Sequence, residues 1–219
     1  MDRITDAFAW PLRDPEWLPK LVVIALTLLI PIAGAINGLG WMLASLDGLR
    51  AGEERLAPAN LRYIGRGLPL FVVNLVYFLG VALVAALIYV PAVTVATSQS
   101  QGSANPALVS LAILLSLLAF SVATLGSLAL NFAMPSIVLA TDREGIRGGL
   151  RLSAVLREAR ANISNTLIAG LMLIAAGFVG SLGMVACGVG ILFTTAYALA
   201  MQAWIVRSFE VGSPAAKAA

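Results

Sequence analysis

Every charged residue of this chain lies in one of four islands: 2–20, 47–66, 142–160 and 207–217. The intervening segments 21–46, 67–141 and 161–206 contain no Asp, Glu, Lys or Arg. An uncharged stretch as long as 67–141 leaves no charged face for water, which soluble helices and strands normally present. It suits lipid, where a charge at the bilayer centre costs roughly 2.5–3.5 kcal/mol. Only 11% of residues are charged, against the ~25% usual in soluble domains. The sequence therefore predicts one integral membrane domain over 1–219, all-α, with no room for a second soluble domain. The acidic residues Asp2, Asp6, Asp14 and Glu16 stand where a signal peptide carries basic ones, so the first apolar segment is expected to be retained.

A spanning helix needs about 20 apolar residues. Segment 67–141 holds two, at 67–97 and 107–140, around the polar turn 98–106. Pro91 and Pro135 fall late in these helices and are expected to kink or end them. Segment 161–206 holds two more, at 162–183 and 189–209, with the turn near Gly183–Gly190, around Cys187. The fold expected is a polytopic bundle of four spanning helices.

Segment 21–46 carries Pro31 mid-run, then Gly34, Gly38 and Gly40. It could cross once as a tilted helix or dip in and return. Arginines crowd islands 47–66 and 142–160, whereas loops 98–106 and 184–188 have no Lys or Arg. The positive-inside rule makes the islands cytoplasmic. Arg3, Arg13 and Lys20 join them only if 21–46 re-enters, so the sequence favours a re-entrant hairpin broken near Pro31–Gly34, behind an interfacial segment 1–20. Non-helical backbone at that depth must be covered by protein. Asp14-Pro15-Glu16 is expected to start its first arm as N-cap, Pro at N1 and an acid in the first turn. Both termini then lie inside.

Segment 143–160 has apolar residues at helical spacing, Leu152, Leu156, Ala159 and Ile163, opposite a row of Arg143, Arg147 and Arg151. It is expected to be an amphipathic helix in the cytoplasmic interface. Arg143, Arg147, Arg151 and Arg157 offer a surface for anionic headgroups or a soluble partner. Like charges four residues apart favour an anionic neighbour.

Small residues mark candidate helix packing at Gly34, Gly38, Gly177 and Gly180, and Ala119, Ala123, Ser127 and Asn131 repeat every four residues. Such faces let membrane helices approach closely, within this bundle or in an oligomer. The amides Asn37, Asn74, Asn131 and Gln202 should face the interior, because an unsatisfied amide in lipid costs several kcal/mol. They serve either as interhelical hydrogen bonds or, for Asn37, Asn74 and Asn131, as the lining of a polar groove.

The chain has no histidine and one cysteine, which removes the usual proton shuttle and metal ligand and any intrachain disulfide. No P-loop, dinucleotide fingerprint, metal-ligand cluster or nucleophile–base pair is present, and no ionisable residue of the kind ion-coupled carriers use lies within the apolar segments. No catalytic, cofactor or metal residue is assigned. The net charge of +3 reflects membrane-flanking arginines, not nucleic-acid binding.

Trp10-Pro11-x-x-Asp14-Pro15-x-Trp17-x-x-Lys20, then Leu29-Ile30-Pro31-Ile32-x-Gly34, then Gly40-Trp41 leading to Leu49-Arg50-x-Gly52-Glu53 resembles a prokaryotic membrane family catalogued as domain of unknown function number four thousand and thirteen. The resemblance covers roughly residues 8–70. Leu56-Ala57-Pro58 stands where the family has a Leu-Pro-x-Trp turn. The layout is distantly similar to membrane domains beside some glycerophosphodiester phosphodiesterases, whose chemistry is not carried over. The resemblance implies a prokaryotic cytoplasmic membrane and no established activity. The sequence-based expectation is a non-enzymatic scaffold or accessory subunit, with membrane lipids and a membrane-protein partner or second copy as partners. The alternative is a transporter-like or lipid-handling protein with an amide-lined groove.

Overall fold

A computed structural model describes residues 4–99, 105–185 and 189–212. Arg3, Cys187, Gly188, Lys217 and the centre of the 98–106 turn lie outside the described residues. Two short 3-10 helices, Ile4–Phe8 and Trp10–Arg13, lead into α1 (Trp17–Thr27), α2 (Ala33–Arg50), α3 (Ile64–Gln99), α4 (Pro106–Gly149), α5 (Leu152–Ala161), α6 (Ile163–Leu182) and α7 (Val189–Gly212). No strand occurs among the described residues. Among the described residues three segments are long and apolar enough to cross a membrane: α3, α4, and α6 with the 3-10 turn Gly183–Val185.

The chain divides into two compact units, Met1–Val73 with Asn131–Ala219, and Asn74–Leu130. In the larger unit α7 is the central element, packed against α1, α2, α6 and the N-terminal 3-10 turns. Its small residues Ala196, Ala198, Ala200 and Ala203 are buried beside Trp204, Ile205 and Phe209. The smaller unit contains the distal parts of α3 and α4. Gly126 sits against the Val81 side chain there, so close that an added Cβ would lie 2.7 Å from Val81 Cγ1. Phe78, Leu83, Leu87, Phe120 and Leu125 remain exposed.

Segment 21–46 holds two helical arms, most of α1 and the start of α2. α1 ends at Thr27 and α2 begins at Ala33, so the chain breaks around Pro31 as its sequence requires. The two arms meet at Gly34, where any Cβ would collide with the Thr27 carbonyl. Asp14 caps the chain differently from the expectation. The N-cap of α1 is Glu16, without a side-chain bond, and the Asp14 carboxylate accepts from Glu16 N at 2.9 Å while reaching elsewhere.

The prolines do not end their helices, since α3 runs past Pro91 and α4 past Pro135. The break in α4 comes at Gly145, with φ 67° and ψ −156°, a conformation open to glycine and strained for other residues. With a further break at Leu150–Arg151, segment 143–160 is not one helix. The arginine row inferred from spacing is therefore interrupted, and only Leu152–Ala161 forms the amphipathic element.

Candidate functional site

The polar chemistry of the larger unit gathers where the charged islands meet. Two arrangements account for it.

The first is a latch between the N-terminal segment and loop 51–63. Asp14 is only 1% exposed. Its carboxylate accepts from Lys20 Nζ at 2.7 Å, from Leu56 N at 2.9 Å and from Glu16 N. Lys20 Nζ also donates to the Leu56 carbonyl. Burial pushes the Asp14 carboxyl up, but the Lys20 ammonium and the two backbone N–H groups outweigh it and hold the group below the usual carboxylate range. Arg13 pairs with Asp6 and Glu54 and lies over the Trp204 ring. Trp10 stacks on Trp204 and donates to the Ala200 carbonyl. Trp41 donates to the Ala57 carbonyl, and Ala57 N to Ser45 Oγ. Trp10 and Trp41 thus carry an apolar body into the core and an N–H to a backbone acceptor.

The second is an ion network joining five helices. Arg50 of α2 pairs with Asp47, with Asp142 of α4 at 2.6 Å and with Glu210 of α7 at 3.0 Å. Arg66 of α3 bridges Asp47 and Asp142. Arg143 faces Glu158 of α5 and Glu210, and Arg207 pairs with Glu210. Four arginines balance four carboxylates, which a partly buried site needs. Burial lowers the pKa of Arg50, and its bonds to Glu210 and Asp142 more than reverse that, so it stays charged. For Glu210 burial acts upward, and Arg50 with Arg207 pull it below its ordinary value. Glu158 is raised by burial; Arg143 opposes this, and the nearby Glu210 charge adds to it.

The other candidate residues are dispersed. Asn37 is fully buried, donating to the Asn60 carbonyl and accepting from Tyr63 N, so both ends of its amide hold loop backbone. Asn74 is half-buried on α3, in the smaller unit, and Asn131 is exposed on α4, in the larger. Gly34 and Gly38 sit in close helix contacts, Gly38 against Leu199. Gly180 touches Ala198, whereas Gly177 faces open space. Both line a shallow groove with Ser181, Thr195 and Gln202. Arg151 pairs with Glu144. Arg147 and Arg157 are exposed and make no ion pair among the described residues.

Sequence reasoning missed the Arg50–Asp142–Glu210 centre. Its members are 92 and 160 residues apart, beyond any local pattern. The available signal was general: each acid at a membrane-flanking helix end must find a cation. No group of three or more His, Cys, Asp or Glu among the described residues is placed to hold a metal ion.

No curated protein and no solved structure matches the chain. A family described as Protein of unknown function (DUF4013) matches residues 23–189. The match extends well beyond the 8–70 region that carried the resemblance, through α3 to α6, and leaves the Trp10–Lys20 motif outside it. Covering about three quarters of the sequence, it shows that the chain belongs to the DUF4013 family.

Proposed function

We propose that this protein is a non-enzymatic, multi-pass scaffold or accessory subunit of a larger assembly in a prokaryotic cytoplasmic membrane. The observation that carries the proposal is how little of α3 and α4 the chain itself buries. Both present Leu, Val and Phe outward along most of their length. At 36 residues for α3 and 39 for α4 up to its break at Gly145 (144 − 106 + 1) they measure about 54 and 58 Å at 1.5 Å per residue. A hydrocarbon core is about 30 Å thick, so the helices offer more apolar surface than a fitted single crossing requires. Meanwhile the polar side chains with the greatest chemical capacity are engaged in holding backbone or one another.

The topology proposed with it is four spanning helices, α7 being the fourth, and a re-entrant α1–α2 hairpin. Two observations support it. The latch joins island 2–20 to loop 51–63, and the ion network joins islands 47–66, 142–160 and 207–217. All four charged islands therefore share one end of the larger unit, which the positive-inside rule makes cytoplasmic. The hairpin tip is also fit for lipid. Leu29, Ile30 and Ile32 are exposed, and the N–H groups of Leu28, Leu29, Ile30, Ala33 and Gly34 all bond to nearby carbonyls. Pro31 has no N–H to satisfy. Of the N–H groups from Leu28 to Gly34 that of Ile32 alone makes no backbone bond, so most of the internal satisfaction non-helical backbone needs at membrane depth is in place.

The lipid-handling alternative needs a free amide-lined path, and Asn37 is not available to line one. The test is gentle extraction of a C-terminally tagged chain from its native host, with mass spectrometry of what co-purifies. A stoichiometric membrane-protein partner is expected. A lone chain carrying one defined lipid would overturn the subunit role.

A further inference from the structure

The internal pairings divide the arginines of island 142–160 into two classes. Arg143 is neutralised by Glu158 and Glu210, and Arg151 by Glu144. Arg147, Arg157 and Arg160 are exposed, with no ion pair among the described residues. Arg157 and Arg160 stand three apart on α5, where like charges repel unless an anion lies between or beside them.

Around the axis of α5, at about 100° per residue, three sectors follow one another. Val155, fully buried, with half-buried Ala159 and Glu158, faces the protein. Next come Leu152 and Leu156, 54% and 38% exposed. Arg160 and Arg157 form the third. The apolar sector continues in sequence at Leu150 before it and at Ile163 and Leu167 after it, all exposed. A helix with one flank on protein, a second that is apolar and open, and a third that is cationic and open fits a membrane interface. Its leucines enter the acyl boundary and its arginines sit at headgroup level.

We propose that the Leu152/Leu156–Arg157/Arg160 face of α5 is a binding site for anionic phospholipid headgroups. Lipid is favoured over a soluble acidic partner because the open leucines adjoin the arginines on a short helix leading directly into the spanning segment α6. The inference rests on membrane residence and not on the subunit role, so either can fail alone.

The experiment uses the full chain, purified in neutral detergent and titrated with phosphatidylglycerol or phosphatidylcholine, with bound lipid counted by native mass spectrometry. An arginine near an anionic surface is worth about 1 kcal/mol, roughly fivefold in affinity. Arg157→Gln with Arg160→Gln is therefore expected to lower the preference for phosphatidylglycerol by about 25-fold. Arg157→Lys with Arg160→Lys keeps the charges and should retain most of it, which separates loss of charge from loss of fold. Arg55→Gln with Arg62→Gln removes two charges of loop 51–63 that likewise make no ion pair among the described residues, and should leave it intact. Equal binding of the two lipids by the wild type would overturn the proposal. So would an equal loss in the loop variant, or wild-type preference in the double glutamine variant.

Discussion

Replacing Asp14 by alanine tests whether the N-terminal latch holds the fold. The carboxylate is 1% exposed and accepts three hydrogen bonds, one from an ammonium and two from backbone N–H groups. Its removal leaves Lys20, with a side chain only 16% exposed, without its closest anion and orphans the Leu56 N–H. Breaking a buried ion pair from one side costs about 3–5 kcal/mol. At about 2–4 °C per kcal/mol for a chain of this size, the melting midpoint should fall by about 6–20 °C, read by intrinsic fluorescence in detergent or nanodiscs. The double variant Asp14→Asn, Lys20→Met removes both charges and should recover part of the loss, because no uncompensated ion then remains. The pH dependence follows from the direction of the shift. The folded-state carboxyl sits below its unfolded value, so its contribution is fully present above the unfolded pKa, ~3.9, and is lost as pH falls through the lower folded value. The stability gap between wild type and Asp14→Asn should stay constant from about pH 8 to pH 5 and close only below about pH 4. A gap that closes near neutrality, or a midpoint change under about 2 °C for Asp14→Ala, would refute this account of the latch.

Three other outcomes follow from the same geometry. Arg50→Met leaves Asp142 and Glu210 facing each other with only Arg66, Arg143 and Arg207 in reach, and should cost about 2–4 kcal/mol in thermal stability; a neutral result would mean the remaining arginines suffice. Ile32 holds φ 62° and ψ −60°, a strained backbone for a β-branched residue, so Ile32→Gly should raise the midpoint by the equivalent of about 0.5–2 kcal/mol after glycine's entropy cost; a lowered midpoint would count against strain at the hairpin tip. A cysteine at position 6, in a chain whose one native cysteine, Cys187, is replaced by serine, should react with a membrane-impermeant thiol reagent only after the cytoplasmic face is opened, and labelling in intact cells would sink the re-entrant topology.

The all-helical fold was legible because charge segregation is a property of composition along the chain and needs no tertiary knowledge. The break at Pro31 was equally local, since a proline followed by glycines cannot continue a helix without losing hydrogen bonds. Pro91 and Pro135 show the limit of that rule. One missing donor is tolerated inside a long helix when neighbouring groups adjust, and the actual break at Gly145 depends on a positive φ that sequence does not announce. The arginine row at 143, 147 and 151 failed for the same reason: its periodicity assumed an unbroken helix. Those arginines were expected to need an anionic neighbour, and for two of the three Glu144, Glu158 or Glu210 of the same chain lies beside them. Asn37 was placed in the interior, yet its partners are the backbone of residues 60 and 63, a loop whose docking no local pattern encodes.

The harder ambiguity is between lipid and protein as the solvent of an apolar helix. α3 and α7 both read as nearly uncharged apolar segments, and hydropathy cannot separate them, because lipid tails are as apolar as a protein core. Their environments differ sharply: α7 is buried on most sides, while α3 exposes Phe78, Leu79, Leu83 and Leu87. Side-chain size is a partial signal. On α7 the buried positions include Ala196, Ala198, Ala200 and Ala203 beside larger side chains such as Leu199 and Trp204, the alanines small enough for backbones to approach, and packing is what holds helices together where the hydrophobic effect offers no advantage. On α3 the outward positions include the large Phe78, Leu79, Leu83 and Leu87 among the small Gly80, Ala82 and Ala86. Gly34 belongs to the first class because it adjoins the Thr27 carbonyl, and Gly177 to neither, because nothing lies beside it. Neighbouring small residues do not by themselves mark a helix contact: Gly177 has Gly180 and Ser181 one turn on and meets nothing, whereas Gly170, between larger neighbours, sits against Phe132.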